Sequence, residues 1–497
     1  MSKRTLKSRA PLFAITLIAA CALSACGIVS LDKNYQRPAL DLPTSLTSLT
    51  SLTSPTSNGT AVSVDWLVWW KGFHDPVLDG LLQEAASNSQ DLALATARLA
   101  EARATLDQNA ANFYPSVDLY ASAARRRTSE NSASTAPGAR LYSNDRQLGL
   151  SASYELDFWG KYARADEAAR ARLLAQTANR GTVLTTLYAN VAQSYFALRA
   201  LDAQLTLGEQ TLATRTENLR LQNRRFTAGV VGEMDLRQAE SEAAGIQATL
   251  QQTAQNRRNA EAALALLLGR QPTDIANPVL TRGADLGTLY AAQAIPADLP
   301  SDVLHRRPDV VAAEQGLIAA NADIGQARAA YFPKLSLTAS LGYQSKDLSD
   351  LFNPASLLWN LVGNLAQPVF RAGAIDAVVA ASNARQQQAL ATYIQTVQNA
   401  FRDVHDALNN VAAGRGITDI TAKRIAALRS TLRLADLRYK NGYSGYLEVL
   451  NAQRDLAQAE SGLIDIQRSQ LNAVVSLYKA LGGGWDASSM AAQPIKP

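Results

Sequence analysis

The chain has 497 residues, enough for several ordinary domains, yet only 6% of it is aromatic, and Ala, Leu, Gln, Arg and Ser recur throughout. That mixture favours long helices packed closely through small side chains. The net charge of +5 is a feature of the N-terminus, where Lys3, Arg4, Lys7 and Arg9 precede any acid. The rest of the chain is close to neutral, which removes the electrostatic footprint of a nucleic-acid binder.

In chain order, residues 1–25 read as a processed address: a basic start, an apolar run from Pro11 to Leu23, and the tetrad Leu23-Ser24-Ala25-Cys26. The run is shorter than the roughly 20 residues a spanning helix needs. The tetrad resembles the bacterial lipobox, which implies cleavage before Cys26 and a diacylglycerol with an N-acyl chain on that cysteine; Gly27 in place of Asp implies outer-membrane sorting. Cys21 leaves with the peptide, so no disulfide forms within the mature chain. Residues 26–64 are expected to be a tether, because the Ser/Thr-rich repeats from Leu46 to Ser57 cannot bury a core. The folded body starts near Trp66, Trp69 and Trp70, a packed or interfacial edge, with cofactor stacking the sharper alternative.

An internal repeat organises everything after this point. Phe113-Tyr114-Pro115 recurs as Tyr331-Phe332-Pro333, and Asp91-Leu92 as Asp309-Val310 at the same spacing. Further on, Arg225-Phe226-Thr227-Ala228-Gly229 recurs as Arg438-Tyr439-Lys440-Asn441-Gly442, and Leu268-Gly269 as Leu481-Gly482. The predicted organisation is a first repeat over 65–290, a second over 291–484 and a tail over 485–497. In each repeat a helical stretch (76–112; 302–331) stops at the aromatic-Pro pair, since Pro disfavours helix at the residue before it. Period-two segments follow, over about 116–123 and 147–158, then 334–344 and 358–367, each pair separated by a polar loop. Strands of about ten residues match a tilted crossing of a bilayer, although a soluble half-buried sheet alternates in the same way. In lipid, four strands cannot close on themselves, and an open edge leaves backbone groups unsatisfied, so other copies must complete a barrel.

Long helical runs come next, over 161–227, 232–268, 373–440 and 445–480, with internal joints expected. Leu205, Leu212 and Leu219, and later Leu428 and Leu432, are spaced for coiled packing. Turns at 227–233 and 440–446 pair these runs into hairpins.

Here the chain resembles the TolC-like outer membrane factors, specifically OprM/NodT-type efflux system lipoproteins. The segments that carry the likeness include Trp69-Trp70-Lys71-Gly72-Phe73-His74-Asp75-Pro76, Tyr154-Glu155-Leu156-Asp157-Phe158-Trp159-Gly160, Arg306-Arg307-Pro308-Asp309, Gln367-Pro368-Val369-Phe370-Arg371-Ala372-Gly373, Arg438 to Leu450, and Tyr478 to Trp485. The resemblance implies a mainly α fold with a transmembrane β-barrel contribution: a homotrimer closing a twelve-stranded barrel continued by a periplasmic α-helical coiled-coil barrel. It also implies a periplasmic adaptor and an inner-membrane RND-type pump as partners, and passive export of small molecules. A type I protein-secretion duct and a non-porous coiled-coil scaffold are the alternatives.

Catalytic and metal motifs are absent from the sequence, and His74, His305 and His405 are too scattered for a metal cluster, so no enzyme activity, metal or cofactor is expected beyond the lipid. By the resemblance, a pore gate falls on Asp436 with Leu432 one turn away; the first repeat has Asn223 where the second has Asp436. Arg224, Arg225, Arg433 and Arg438 are candidate ion-pair partners at the gate, and Gly229, Gly232, Gly442 and Gly445 mark the adaptor-docking turns. Arg125, Arg126 and Arg127 end the first strand, either as a solvated margin or facing lipopolysaccharide phosphates.

Overall fold

The computed structural model describes residues 35–39, 65–131, 136, 138, 140–292 and 301–486. The predicted signal peptide, the lipidation site at Cys26 and nearly all of the tether lie outside these residues, as does all but the first two positions of the tail.

Helices α1 (Pro76–Asn88) and α2 (Gln90–Ala110) lead to strands β1 (Ser116–Arg127) and β2 (Tyr142–Leu156), then to α3 (Lys161–Thr227) and α4 (Glu233–Leu267). After short helices α5 (Pro272–Ala276) and α6 (Leu286–Ala292), the order repeats: α7 (Pro308–Arg328), β3 (Lys334–Ser345), β4 (Leu357–Ala366), α8 (Ala374–Lys440) and α9 (Tyr446–Ala480). Most corresponding elements agree in length: α3 and α8 have 67 residues each, α4 and α9 have 35, α2 and α7 have 21, and β1 and β3 have 12, while β2 has 15 and β4 has 10. Such agreement is what a duplicated unit produces.

Two local differences from the sequence reading have physical causes. The stretch expected as one helix from 76 breaks at Ser89, which is extended (φ −61°, ψ 126°), closes α1 and offers its hydroxyl to Leu92 N at the start of α2. The second stretch likewise divides, because Pro308 can occupy only the first turn of α7. Conversely, α3 and α8 run without the expected joints. Both aromatic-Pro pairs end a single 3-10 turn, with Tyr114 and Phe332 held extended before the proline.

The chain forms two compact units, each drawing on both repeats. One contains Ala100–Leu173 and Gln315–Ala391; the other contains Leu174–Glu314 and most of the remaining helices.

The first unit holds an antiparallel sheet in the order β1-β2-β3-β4. Its register aligns Leu119, Leu150, Leu341 and Trp359 in one row across all four strands, and Val117, Ala152, Ala339 and Leu361 in the next row on that face. The opposite face carries Asp118, Ser151, Ser340 and Asn360 in one row and Ser116, Ser153 and Thr338, with Val362 on β4, in another. At the base of the sheet Trp159 stacks on Phe332 at 4.8 Å and donates to Pro333 O at 2.8 Å, tying the two repeats together. Asp157 accepts from Tyr162 N and Ala163 N and starts α3.

The second unit holds the main core. Trp69 is 2% exposed and stacked on Tyr478 at 5.2 Å, and Trp70 packs on Tyr188 at 4.7 Å, so these indoles meet protein rings. Burial pushes the Tyr478 phenol up to about 12. The Gly482-Gly483-Gly484 run fits against them: a Cβ on Gly483 would lie 2.8 Å from Trp69, while Gly484 N donates to Trp66 O. Buried Asp75 caps α1 through Val77 N and accepts from Tyr195 OH at 2.6 Å and Ala284 N at 3.1 Å. Arg307, also buried, holds Asp309 and Asp403 and covers the last carbonyls of α9 through Ala480 O.

Candidate functional site: the hairpin tips and the two-faced sheet

Two helical hairpins, α3–α4 and α8–α9, end in turns of the same geometry. Gly229 (φ 71°) and Gly442 (φ 76°) take the left-handed conformation, and Val230 N to Arg225 O and Tyr443 N to Arg438 O close equivalent bonds of 2.9 Å. This is the Schellman closure that glycine permits without strain. Gly232 and Gly445 then sit extended as the caps of α4 and α9. Beside the glycines, large apolar side chains are left open at matched positions: Val230 and Met234 on one turn, Tyr443 and Leu447 on the other, each at least half exposed.

Just behind the turns, the hairpins meet through a polar seam. The heptad through Leu205, Leu212 and Leu219 places Arg215 and Gln222 three residues after a leucine, on the packed side of α3. Both are buried. Arg215 bonds Gln453 Oε1 and lies 3.9 Å from Glu242, which Arg454 binds from the other side at 3.0 Å. Burial lowers the Arg215 guanidinium below its ordinary value, and the Arg454 hydrogen bond lowers the Glu242 carboxyl below 4.5. Nearer the turns, Tyr439 OH accepts from Gln222 at 2.8 Å and from Arg225 at 2.6 Å, with the Arg225 guanidinium 4.9 Å above its ring. The Tyr446 ring packs against the Tyr439 ring at 5.8 Å. Arg215, together with Thr211, Leu432, Gln453 and Glu460, lines a hollow of about 190 Å³.

The gate candidates divide within this frame. Asp436 is half-exposed and ion-paired with Lys440, one turn on, at 2.5 Å. Leu432 packs with Tyr439 against Ala435, Val449 and Ala452, inside its own hairpin. Of the four arginines, Arg225 is engaged with Tyr439, Arg438 stands 3.7 Å from Glu448, and Arg224 and Arg433 are exposed. Sequence reasoning passed over Arg215, Gln222, Tyr439, Glu242, Gln453 and Arg454. The available signal was a cation and an amide in the seam positions of a leucine heptad.

The sheet is the second functional feature. Leu119, Leu150, Leu341 and Trp359 are 72%, 48%, 55% and 73% exposed, an apolar face that none of the described residues covers. Tyr114, Phe158, Tyr331 and Phe370 flank its lower end and Tyr142 its upper, all exposed. Such aromatic flanks are characteristic of membrane-facing strands. Among the described residues, strands β1 and β4 each keep one unpaired edge. No described helix is long and apolar enough to cross a membrane. Among the described residues no three His, Cys, Asp or Glu side chains gather as metal ligands, and His405 faces Asp406 at 3.3 Å.

The profile of the outer membrane efflux protein family matches residues 81–270 and 299–483, both repeats in full order. The chain is an outer membrane efflux protein. Among relatives, the solvent efflux pump outer membrane protein SrpC of Pseudomonas putida is 35% identical over 96% of this chain and 98% of its own length. The cation efflux system protein CusC of Escherichia coli is 34% identical over 94% of this chain and 98% of its own. Among solved structures, the CmeC outer membrane channel of Campylobacter jejuni superposes with a TM-score of 0.85 at 27% identity, covering 92% of this chain and 96% of that one. The expected fold class and the outer-membrane location are those of the family. In an outer membrane efflux protein the uncovered apolar face of the sheet belongs in the bilayer, and the helices belong to the periplasm.

Proposed function

We propose that this chain is the outer-membrane exit duct of a tripartite efflux system, acting as a homotrimer without catalysis or cofactor, anchored by lipid on Cys26. The observation that carries this reading is the four-stranded sheet, apolar on one face, polar on the other and open at both edges. Strands of 12, 15, 12 and 10 residues are long enough to cross hydrocarbon when tilted. Open edges are not tolerated in lipid, so β4 of one copy pairs with β1 of the next until the ring closes, at three copies by the likeness to TolC-like channels, and the polar rows line the lumen.

The tips supply the two further functions of such a duct. Exposed Val230, Met234, Tyr443 and Leu447 offer apolar docking points to a periplasmic adaptor, which in turn joins an inner-membrane RND-type pump. Asp436 and Leu432 stand near the closing aperture, where three Asp436 carboxylates favour cations and repel one another. Lys440 tempers that field while its pair with Asp436 is made. Relatives named for solvents and for cations match this chain almost equally, at 35% and 34%, which supports a duct whose cargo is chosen by the pump. Among the described residues no group of three His, Cys, Asp or Glu side chains on the polar rows could hold a metal ion.

Planar-bilayer conductance across a salt gradient tests the proposal. The parent trimer is expected to give small, cation-preferring currents and Asp436→Ala larger, less selective ones. Unchanged conductance and preference in Asp436→Ala would remove the gate assignment, and no current from either folded trimer would remove the duct.

A further inference from the structure

The three consecutive arginines that end β1 do not share a face. Arg125 and Arg127 stand an even number of residues from Val117 and Leu119 and lie on the apolar, outward face, whereas Arg126 lies with Asp118 on the polar one. Across the ladder, Arg127 is paired with Tyr142 and Arg125 with Asn144, and Arg146 stands opposite Ala123 on that same outward face. The side chains confirm the parity: the guanidinium groups of Arg125 and Arg127 lie 5.5 Å and 6.0 Å from the centre of the Tyr142 ring. Arg146 turns to the carbonyl of Lys346 in the neighbouring loop.

Three guanidinium groups, an amide and a phenol thus crown the outer end of the apolar rows on two adjacent strands. Their acidic company is slight. Glu130 meets Arg127 at 3.3 Å, while Asp145 is on the opposite face, held by Gln147 and Gln344 at 2.8 Å each. A charge-dense rim at headgroup depth is solvated there and attracts anionic headgroups. This end of the sheet carries the connecting segments 128–141 and 346–356, and the helices continue from the other end, on the periplasmic side. The rim therefore lies at the outer leaflet.

We infer that Arg125, Arg127 and Arg146, ordered by Tyr142, form a docking site for the phosphorylated glucosamine headgroup of lipid A, each trimer carrying three such sites. The planar guanidinium fork matches phosphate oxygens two at a time. Acyl chains below the headgroup then cover Leu119, Leu150, Leu341 and Trp359. The site rests on the proposal that the strands cross the outer membrane.

The experiment titrates fluorescent lipid A into nanodiscs of phosphatidylethanolamine that hold the full-length trimer, with dephosphorylated lipid A and inorganic phosphate as parallel arms. Arg125→Ala and Arg127→Ala are each expected to weaken lipid A about fivefold, and Arg126→Ala, one residue away but inward, to leave it unchanged. Removal of the lipid phosphates is expected to abolish the difference between variants. An equal loss in Arg126→Ala, equal binding of the dephosphorylated lipid, or full displacement by inorganic phosphate would each overturn the site. Conductance of the same preparations separates the two readings: a conducting trimer indifferent to lipid A refutes this site alone, and a trimer that neither inserts nor conducts refutes the membrane sheet and this site with it.

Discussion

Tyr439→Phe is the smallest change that tests whether the polar seam holds the tips together. The substitution keeps the ring, its packing on Tyr446 and the Arg225 guanidinium above it, and deletes only the hydroxyl that accepts from Gln222 and Arg225. The bond from Gln222 contributes about 1 kcal/mol and the charged one from Arg225 about 1.5–3 kcal/mol. Gln222 is 1% exposed, so its amide loses a partner that water replaces poorly. Allowing for the exposure of Arg225, the expected loss is about 2–3 kcal/mol per hairpin pair, or about 30-fold to 150-fold in the balance between joined and parted tips. Single-channel recording is the assay: Tyr439→Phe is expected to spend far more time in high-conductance states than the parent at equal trimer stability. If its conductance distribution matches the parent's while the heat-modifiable trimer is intact, the seam does not restrain the tips and the argument from Gln222 and Arg225 fails.

Two further predictions concern the same unit. Asp75→Ala removes the cap of α1 and two charge-assisted bonds, from Tyr195 OH and Ala284 N; a loss of about 3–5 kcal/mol is expected, measured by denaturant unfolding of the detergent-solubilised trimer, and a loss below about 1 kcal/mol would show that water replaces the carboxylate. Glu242 is held below its ordinary value of 4.5 chiefly by Arg454, so its contribution is full above that pH and falls as the pH drops through the lowered value. Acidification below pH 4.5 should therefore weaken the joined tips in the parent, and Glu242→Gln should flatten this part of a melting-temperature profile; an unaltered profile would place the acid sensitivity elsewhere.

Much of the architecture was legible because it depends on strong local rules. Proline after an aromatic stops a helix wherever it occurs, so Phe113-Tyr114-Pro115 and its copy marked the two places where a helix gives way to the sheet. Alternation over 334–344 has no helical counterpart, and β3 spans Lys334–Ser345. The weaker β1 pattern hid its last four residues, because Ala124 and the three arginines do not alternate in polarity although they continue the ladder. Likewise, the break at Ser89 depends on one side chain choosing a backbone partner, which composition does not reveal. At the tips, the glycine turns were readable from φ preference alone, whereas the bonds of Arg215 and Tyr439 depend on which helices meet. Periodicity marked the packed side of α3 through its leucines but neither the seam nor its partners, since Gln453 and Glu242 reach Arg215 from different helices.

The unpaired margins of β1 and β4 bear finally on how the duct is made. A single copy has no satisfactory resting place in hydrocarbon, since each margin carries a ladder of amides that only a sister chain can occupy. Insertion and oligomerisation are thus expected to be one cooperative event, steeply dependent on the amount of newly exported chain. The same logic makes the assembly vulnerable to poisoning: a subunit with a proline on one margin would spoil every ring it entered. Co-expressed equally with the parent, and free to mix, it would leave only about one ring in eight intact.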